Sequence, residues 1–319
     1  MKNDFFALSS NAESQNKAYY RRRKRVNSIM TGTAVLATLL ALLPLFWIVG
    51  YVFTKGVQAI DLAFLTQMPK PLGMEGGGVF HAIQGTLLLI LLASIFAIPP
   101  GVLAAFYIAN HPNTALGVAV RFGTDVLSGV PSIVIGLFGY TLVVKNQGHY
   151  SALAGGIALA IIMLPIIVRT TEEMLKLVPV QLREAGLALG GTEWQTSLGI
   201  ILPAAGNGIL TGFLLAVARA SGETAPLLFT ALGNENYNII RIIRDGVSAR
   251  QGVLSILHSL VNQPVDSLPL TLWKYAQQPY PERIEQAWAA AMMLMLFVLF
   301  LNILARSWIQ SRASRSQYG

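Results

Sequence analysis

The feature that most constrains this chain is a series of apolar runs, each long enough to cross a lipid bilayer. A transmembrane helix needs about 20 consecutive, mostly apolar residues. With a composition of 54% hydrophobic and 12% charged residues, these runs exclude an ordinary soluble domain and predict an all-α membrane protein with six transmembrane helices. The predicted spans are 31–53, 84–109, 123–144, 152–169, 206–232 and 286–307.

The chain lacks the residues that several other kinds of site require. It has no cysteine, which excludes disulfides, thiol catalysis and thiolate metal sites. Its four histidines show no metal-ligand spacing, and no segment ends in the Gly-Lys-Ser/Thr of a nucleotide-binding loop. We therefore expect no metal, no cofactor and no ATP site on this chain.

Basic residues set the predicted orientation in the membrane. Seven of the 23 Lys and Arg residues lie in the first 25 positions. Cytoplasmic loops carry an excess of Lys and Arg, so we expect both termini in the cytoplasm and attribute the net charge of +8 to these loops rather than to nucleic-acid binding. The predicted organisation is a cytoplasmic tail 1–27, a transmembrane domain 28–308 with an outer loop 233–285, and a cytoplasmic tail 309–319.

Prolines and small residues inside the runs indicate a packed bundle rather than six independent anchors. Pro99, Pro100 and Pro165 each free a backbone carbonyl that a neighbouring helix or water must satisfy, and Pro131 begins a turn within the third run. The fifth run carries a ladder of small residues that lets helix backbones approach closely. The ladder is Ala204, Gly208, Gly212, Ala216 and Ala220.

The loop between the fourth and fifth runs, 170–203, predicts two short helices joined by a glycine turn. Pro179 suits the first turn of a helix and Gly190-Gly191 suits its end. Thr192 followed by Gln195 is a capping-box pattern that starts a second helix. Leu182, Ala185 and Leu189 share one face of the first helix, which favours either docking into a partner's groove or an amphipathic hairpin lying on the membrane.

The same loop resembles the EAA loop of ABC importer permeases. Glu184-Ala185-Gly186, Gly190, Ile200 and Leu202-Pro203 match the spacing of that motif, with Gly186 in place of its second alanine. The resemblance implies a type I ABC importer permease fold in which this cytoplasmic loop docks into a cleft of a separate ATPase. The coupling residues that it implies are Arg183, Glu184, Ala185, Gly186, Leu189 and Gly190.

Longer segments are similar to the PstA-type permease family of phosphate-specific (Pst) ABC importers. They include "REAGLALGGTEWQT", "LPAAGNGILTGFLLAVARASGETAPLLFTA", "NQPVDSLPLTLWKYAQQPYPE" and "GVPSIVIGLFG". This resemblance covers most of residues 76–300. It implies a multi-pass inner-membrane subunit of a phosphate importer, not itself an enzyme. The implied partners are a sister PstC-type permease, two copies of an ABC ATPase and a phosphate-binding protein on the outer face.

Arg219 and Glu223 are the charged residues that stand out inside the fifth run. An ionisable side chain at membrane depth is costly and is usually paired, hydrated or functional. Four residues apart on a helix, the two can form a salt bridge that merely lets both remain in the membrane. With phosphate as the implied cargo, Arg219 and Glu223 are also candidates to line the substrate pathway, because a guanidinium fork matches phosphate oxygens. Arg169 is a weaker pathway candidate that could instead be a snorkelling anchor.

Several alternatives stay open. Residues 252–261 have amphipathic helix spacing, which fits either the outer membrane surface or docking of the binding protein. The cargo could be another oxyanion, since the residues themselves indicate only an anion. A stand-alone secondary anion transporter would share the spans and the intramembrane charges but not the EAA spacing. An intramembrane enzyme is disfavoured because the runs contain no nucleophile or metal constellation.

Overall fold

The computed structural model describes residues 2–72, 74 and 76–316, with side chains at 19, 20, 22–72, 74, 76–304 and 307. The predicted tails therefore lie partly outside the described residues, at Met1 and 317–319. The helices are α1 Lys2–Gly56, α2 Leu62–Thr66, α3 Phe80–Asn110, α4 Ala115–Gly129, α5 Ser132–Gly139, α6 Lys145–Gln147, α7 Ala152–Lys176, α8 Val180–Ala188, α9 Glu193–Thr196, α10 Leu202–Ser221, α11 Ala225–Thr230, α12 Ile239–Ser248, α13 Val253–Val261, α14 Leu268–Ala276 and α15 Pro281–Ser316.

Within the described residues, five helical segments are long and apolar enough to cross a membrane, and a sharply bent helix pair brings the number to six. The five are Arg22–Ala59, Phe80–Asn110, Ala152–Lys176, Glu193–Ser221 and Pro281–Leu304. No strand is formed in this part of the chain, where β pairing is limited to two isolated bridges. The prediction of an all-α membrane protein is confirmed.

The third predicted span, 123–144, is not one straight helix. α4 and the segment Ser132–Gln147 meet at an angle of 106°. The break falls at Val130-Pro131, where a proline disfavours helical backbone in the preceding residue and cannot donate a backbone hydrogen bond. Residues on both sides of the bend line a space beside α7.

The chain divides into two units after Thr54. The first unit is a helix whose apolar side chains are exposed. In the second, α7 is the central helix: it packs against α3 along one side and α10 along another. The predicted small-residue ladder explains the second contact, because a Cβ added at Gly208 or Gly212 would come within 2.1 Å of Met174 or Thr170 on α7.

Candidate functional site

Arg219 and Glu223 form an ion pair at the break of the fifth span. The Arg219 Nη2 atom lies 3.1 Å from Glu223 Oε1, and the Arg219 side chain is 58% exposed whereas that of Glu223 is 13% exposed. Arg219 lies in the last turn of α10, and Glu223 lies in the non-helical connection between α10 and α11. The predicted ion pair is therefore formed, and Arg219 is its more exposed member.

The prediction of one continuous span over 206–232 is wrong. Helix α10 ends at Ser221, and Gly222 follows as its C-cap. Pro226 at the start of α11 cannot donate the backbone hydrogen bond that a continuing helix needs. At its other end the helical segment extends back to Glu193 through a π-helical turn at Ser197–Ile201. A broken helix leaves unsatisfied backbone groups, which are tolerated at membrane depth only next to protein or water.

Arg169 is held by a carboxylate that the sequence analysis missed. On α7, its guanidinium donates a hydrogen bond to Asp125 on α4, and its Nη1 atom lies 3.9 Å from Glu172 Oε2. Both Arg169 and Asp125 remain partly exposed. Asp125 is 44 residues away in the chain, so no local spacing could indicate this pairing. Each candidate pathway arginine thus has a carboxylate partner.

Glu172 is the centre of a second ion-pair cluster near the same end of α7. Its carboxylate is buried, accepts a 2.8 Å hydrogen bond from Arg121 Nε and lies 2.6 Å from Lys176 Nζ. Arg121 also donates to the carbonyl of Pro112, just beyond the end of α3. Through Arg121, these contacts join the middle of α4 to the last part of α7 and to the segment just after α3. The only sequence signal for this residue was a glutamate four positions before a lysine.

The predicted coupling loop folds as a helix with one outward face. Helix α8 begins after Pro179, and its residues Leu182, Glu184 and Ala185 are exposed. Leu189, just after the helix, is 87% exposed. Leu182 and Leu187 are exposed beside it, and a group of exposed apolar side chains is typical of a surface that a protein partner or a membrane covers. The face therefore has the chemistry of a docking surface.

Gly190 and Gly186 are each favoured in this loop for a different structural reason. Gly190 has φ +85°, a left-handed conformation that other residues adopt only at a cost, as predicted for a helix end. Gly186 is buried, and a Cβ there would lie 2.4 Å from Thr196 Cγ2. This close approach accounts for glycine where the EAA pattern has alanine. The predicted capping box of Thr192 and Gln195 is formed on both sides.

Arg183 points away from the outward face of α8. Its guanidinium donates a hydrogen bond to the side-chain oxygen of Asn110, the last residue of α3. Nearby, the ring of Trp194 on α9 meets Phe106 on α3 edge-on, with centroids 5.3 Å apart. The loop is thereby attached to the end of a membrane-spanning helix, so movement of α8 has a direct mechanical connection to α3.

A third charged cluster lies in the connection before α14. The carboxylate of Asp266 is fully buried, bonds the Lys274 ammonium, and has His81 Nε2 at 3.6 Å. Burial by itself raises the pKa of Asp266, but the neighbouring His81 ring and the Lys274 charge outweigh it and hold that pKa below the usual range. At 3.6 Å the histidine is beyond hydrogen-bond distance, so Lys274 is the bonded partner.

No cluster of three or more His, Asp or Glu side chains able to hold a metal ion occurs in the described residues. His81, one of the four histidines without metal-ligand spacing, is buried beside Asp266.

Comparisons with known proteins place these features in context. Residues 97–313 match the family model described as "Binding-protein-dependent transport system inner membrane component". The chain is 41% identical over 310 residues to a phosphate transport system permease protein PstA of Yersinia pestis, covering 96% of each chain. It is 35% identical over 288 residues to a PstA 1 protein of Mycobacterium tuberculosis, covering 89% of this chain and 87% of the other.

Solved structures with a similar fold are chains of ABC transporters. An inward-facing MetNI methionine ABC transporter chain aligns with a TM-score of 0.52 at 17% identity, covering 73% of this chain and 94% of that one. A chain of a bacterial alginate ABC transporter aligns with a TM-score of 0.54 at 15% identity, covering 88% and 94%. At these identities the likeness concerns the fold alone.

Proposed function

We infer that this chain, which belongs to the PstA family of phosphate transport permeases within the binding-protein-dependent inner membrane components, forms part of the membrane pathway by which an ATP-driven importer takes up inorganic phosphate. It is a multi-pass inner-membrane permease subunit, and ATP hydrolysis belongs to a separate subunit of the same complex. The permease works together with an ATPase and a binding protein.

The assembly that we propose contains this chain, one PstC-type sister permease, two ATPase copies and one phosphate-binding protein on the outer face. Both termini of this chain lie in the cytoplasm, which places 170–203 inside and 233–285 outside. The basic residues before the first span and after the last support this orientation. The exposed Arg219 side chain is accessible to a sister subunit in such an assembly.

The observation that carries the substrate role is the accessible Arg219 guanidinium at a helix break inside an apolar bundle. A lone cation there would be costly to bury and would retain an anion. Glu223 offsets both effects, because it neutralises Arg219 until phosphate replaces it as partner. Arg169 and its partner Asp125 offer a second exchange of the same kind.

The coupling role rests on the outward face of α8. Leu182, Ala185 and Leu189 dock into the ATPase, with Glu184 on the same exposed helix. When ATP closes the ATPase dimer, α8 is displaced. Arg183 and Asn110 transmit that displacement to α3, and the pathway opens toward the loaded binding protein.

Co-purification and reconstitution test this function. A tagged copy of the chain, expressed in its native cells and purified from the membrane, should carry an ATPase and a second permease with it. Mass spectrometry identifies these partners. Proteoliposomes containing the complex and the phosphate-loaded binding protein should accumulate radiolabelled phosphate only with ATP. Phosphate uptake by the purified chain alone would instead support a stand-alone secondary anion transporter. ATP-driven uptake of sulfate in preference to phosphate would support another oxyanion as cargo.

A further inference from the structure

A small cavity adjoins Arg219 where the third span bends. It has a volume of about 120 Å3 and lies between the α4–α5 break, the α7 segment around Pro165, and Arg219 on α10. One water-sized group needs about 10–15 Å3 of such space. The cavity therefore has room for a small anion with four oxygens.

The polar residues that line this cavity are one arginine and two serines. Arg219 is its single charged residue, and Ser128 and Ser132 line the same space from the two sides of the break. The other lining residues are apolar, and no carboxylate is among them. Glu223, the partner of Arg219, is not among the residues that line the cavity.

The two hydroxyls differ in their existing hydrogen bonds. Ser128 donates to the carbonyl of Thr124 at 3.0 Å, which leaves its oxygen free to accept. The Ser132 hydroxyl has no hydrogen-bond partner among the described residues. A serine hydroxyl both donates and accepts, so it can donate to a phosphate oxygen and accept from a phosphate proton.

We propose that Ser128, Ser132 and Arg219 form an oxyanion subsite in the pathway, at which phosphate pauses during import. The proposal rests on the proposed phosphate-import function and adds to it the two neutral residues that hold the anion. Neutral hydroxyls replace part of the hydration shell of phosphate without adding a second permanent charge. The anion is then bound strongly enough to enter and weakly enough to leave.

The position of the subsite suits a stepwise path. Pro165 and Ile166 form its wall on α7, and Arg169 follows them by about one turn on the same helix. An anion released from Ser132 and Arg219 therefore has a second guanidinium within about one helical turn. Asp125, three residues before Ser128 on α4, is the carboxylate that neutralises Arg169 when the anion has passed.

A pair of substitutions at Ser132 tests the donor role in the assembled, reconstituted transporter. Ser132→Asp puts a negative charge in the cavity and should lower ATP-driven uptake of radiolabelled inorganic phosphate at least tenfold. Ser132→Asn has nearly the same size but keeps a donor, and it should retain at least a third of the wild-type rate. Thr38→Ala removes an exposed hydroxyl in α1 that bonds its own helix, and it should transport as the wild type does.

The Ser128→Ala/Ser132→Ala double variant covers the case in which an aspartate disturbs folding. It should assemble with the ATPase, shown by co-purification, and transport at least fivefold more slowly than Thr38→Ala. Equal rates for the Asp and Asn variants, or a wild-type rate for the double alanine variant, would overturn the subsite.

Occupancy is measured directly with a thiol, because the chain has no native cysteine. In a complex carrying Ser132→Cys, a small methanethiosulfonate reagent modifies the new thiol, and mass spectrometry of this chain follows the rate. Inorganic phosphate should slow the modification at least threefold relative to chloride at equal ionic strength. The same measurement is made with and without a non-hydrolysable ATP analogue. If phosphate never protects the thiol, although the wild-type complex imports phosphate, the subsite is wrong and the proposed function stands. A wild-type complex that imports no phosphate would overturn the proposed function and this subsite with it.

Discussion

The guanidinium of Arg169 on α7 donates a hydrogen bond to the carboxylate of Asp125 on α4, and it does so one turn beyond the cavity at Arg219. The two side chains come from helices that are separate in sequence and are both partly exposed. An exposed ion pair contributes little to stability, about 0–1 kcal/mol. We therefore propose that this pair matters for transport, by setting the charge that an anion meets along α7.

Asp125→Asn should slow phosphate uptake several-fold without impairing assembly. Removing the carboxylate takes away the hydrogen-bonded partner of Arg169 and leaves only Glu172, at 3.9 Å and already paired with two other cations. The arginine then holds the anion longer and release becomes slower. Initial rates in proteoliposomes measure this effect. Asp245→Asn on α12 is the matched control, because Asp245 is a similarly exposed carboxylate beside Arg241 and Arg244. Equal rates for the two variants would remove Asp125 from the pathway.

Arg219→Gln should lower uptake at least tenfold although the complex still assembles. The substitution removes the charge that attracts phosphate and leaves Glu223 without its cation. The double variant Arg219→Gln/Glu223→Gln separates a pathway role from a structural one. A pair needed only for mutual neutralisation tolerates joint replacement better than single replacement, because no lone charge stays buried. Substantial uptake by the double variant would leave the pair as a structural salt bridge.

Gly190→Leu and Glu184→Lys should each uncouple transport while the membrane domain stays folded. Gly190 has a positive φ and open space around its Cα, so a leucine there costs about 1–2 kcal/mol through backbone conformation rather than through a clash. Gly190→Asn is the control, since asparagine adopts the left-handed conformation more readily. Uptake and stimulated ATP hydrolysis, measured on the same proteoliposomes, should fall for leucine and lysine and persist for asparagine. Full coupled uptake by the leucine and lysine variants would exclude a transmission role for the loop.

The ion pair of Asp266 should stabilise the fold in a manner that depends on pH. Because the pKa of Asp266 is held below its usual value, its stabilising contribution is present above the unfolded-state pKa, near 3.8, and is lost as pH falls through the folded-state pKa. Asp266→Asn should lower the melting temperature in detergent by several degrees at pH 7. The difference from the wild type should shrink as pH falls below about 4. A gap that stays constant or widens in acid would contradict the assignment.

The topology is tested by impermeant thiol labelling of intact cells. The chain has no native cysteine, so one introduced at a time reports one position. Ser267 is a natural choice in the outer loop by sequence, but it is buried and caps α14. Gln251 is exposed and replaces it. Cysteine at Gln251 should be labelled in intact cells and cysteine at Ser14 only after the cells are opened. The reverse pattern would invert the proposed orientation.

The sequence by itself determined the helical membrane class and the ends of the coupling loop. Runs of about 20 apolar residues can satisfy their backbone in lipid only as helices, and this requirement is met within each run. The signals that set the ends of the loop helices are equally local: Pro179 before α8, the Thr192–Gln195 capping box and the left-handed Gly190. Each of these signals depends on residues only a few positions apart.

Only the tertiary structure decided which charges and hydroxyls share a site. Arg169 meets Asp125 across 44 residues, and Ser132 shares a cavity with Arg219 across a longer separation still. The sequence suggested one straight span over 206–232, whereas the structure ends α10 at Ser221 and places Glu223 beyond it. Hydropathy reports only whether a segment is apolar. Where a helix breaks and which side chains then face one another depend on how α4, α7 and α10 pack, and that packing is the sum of many contacts between residues far apart in the chain.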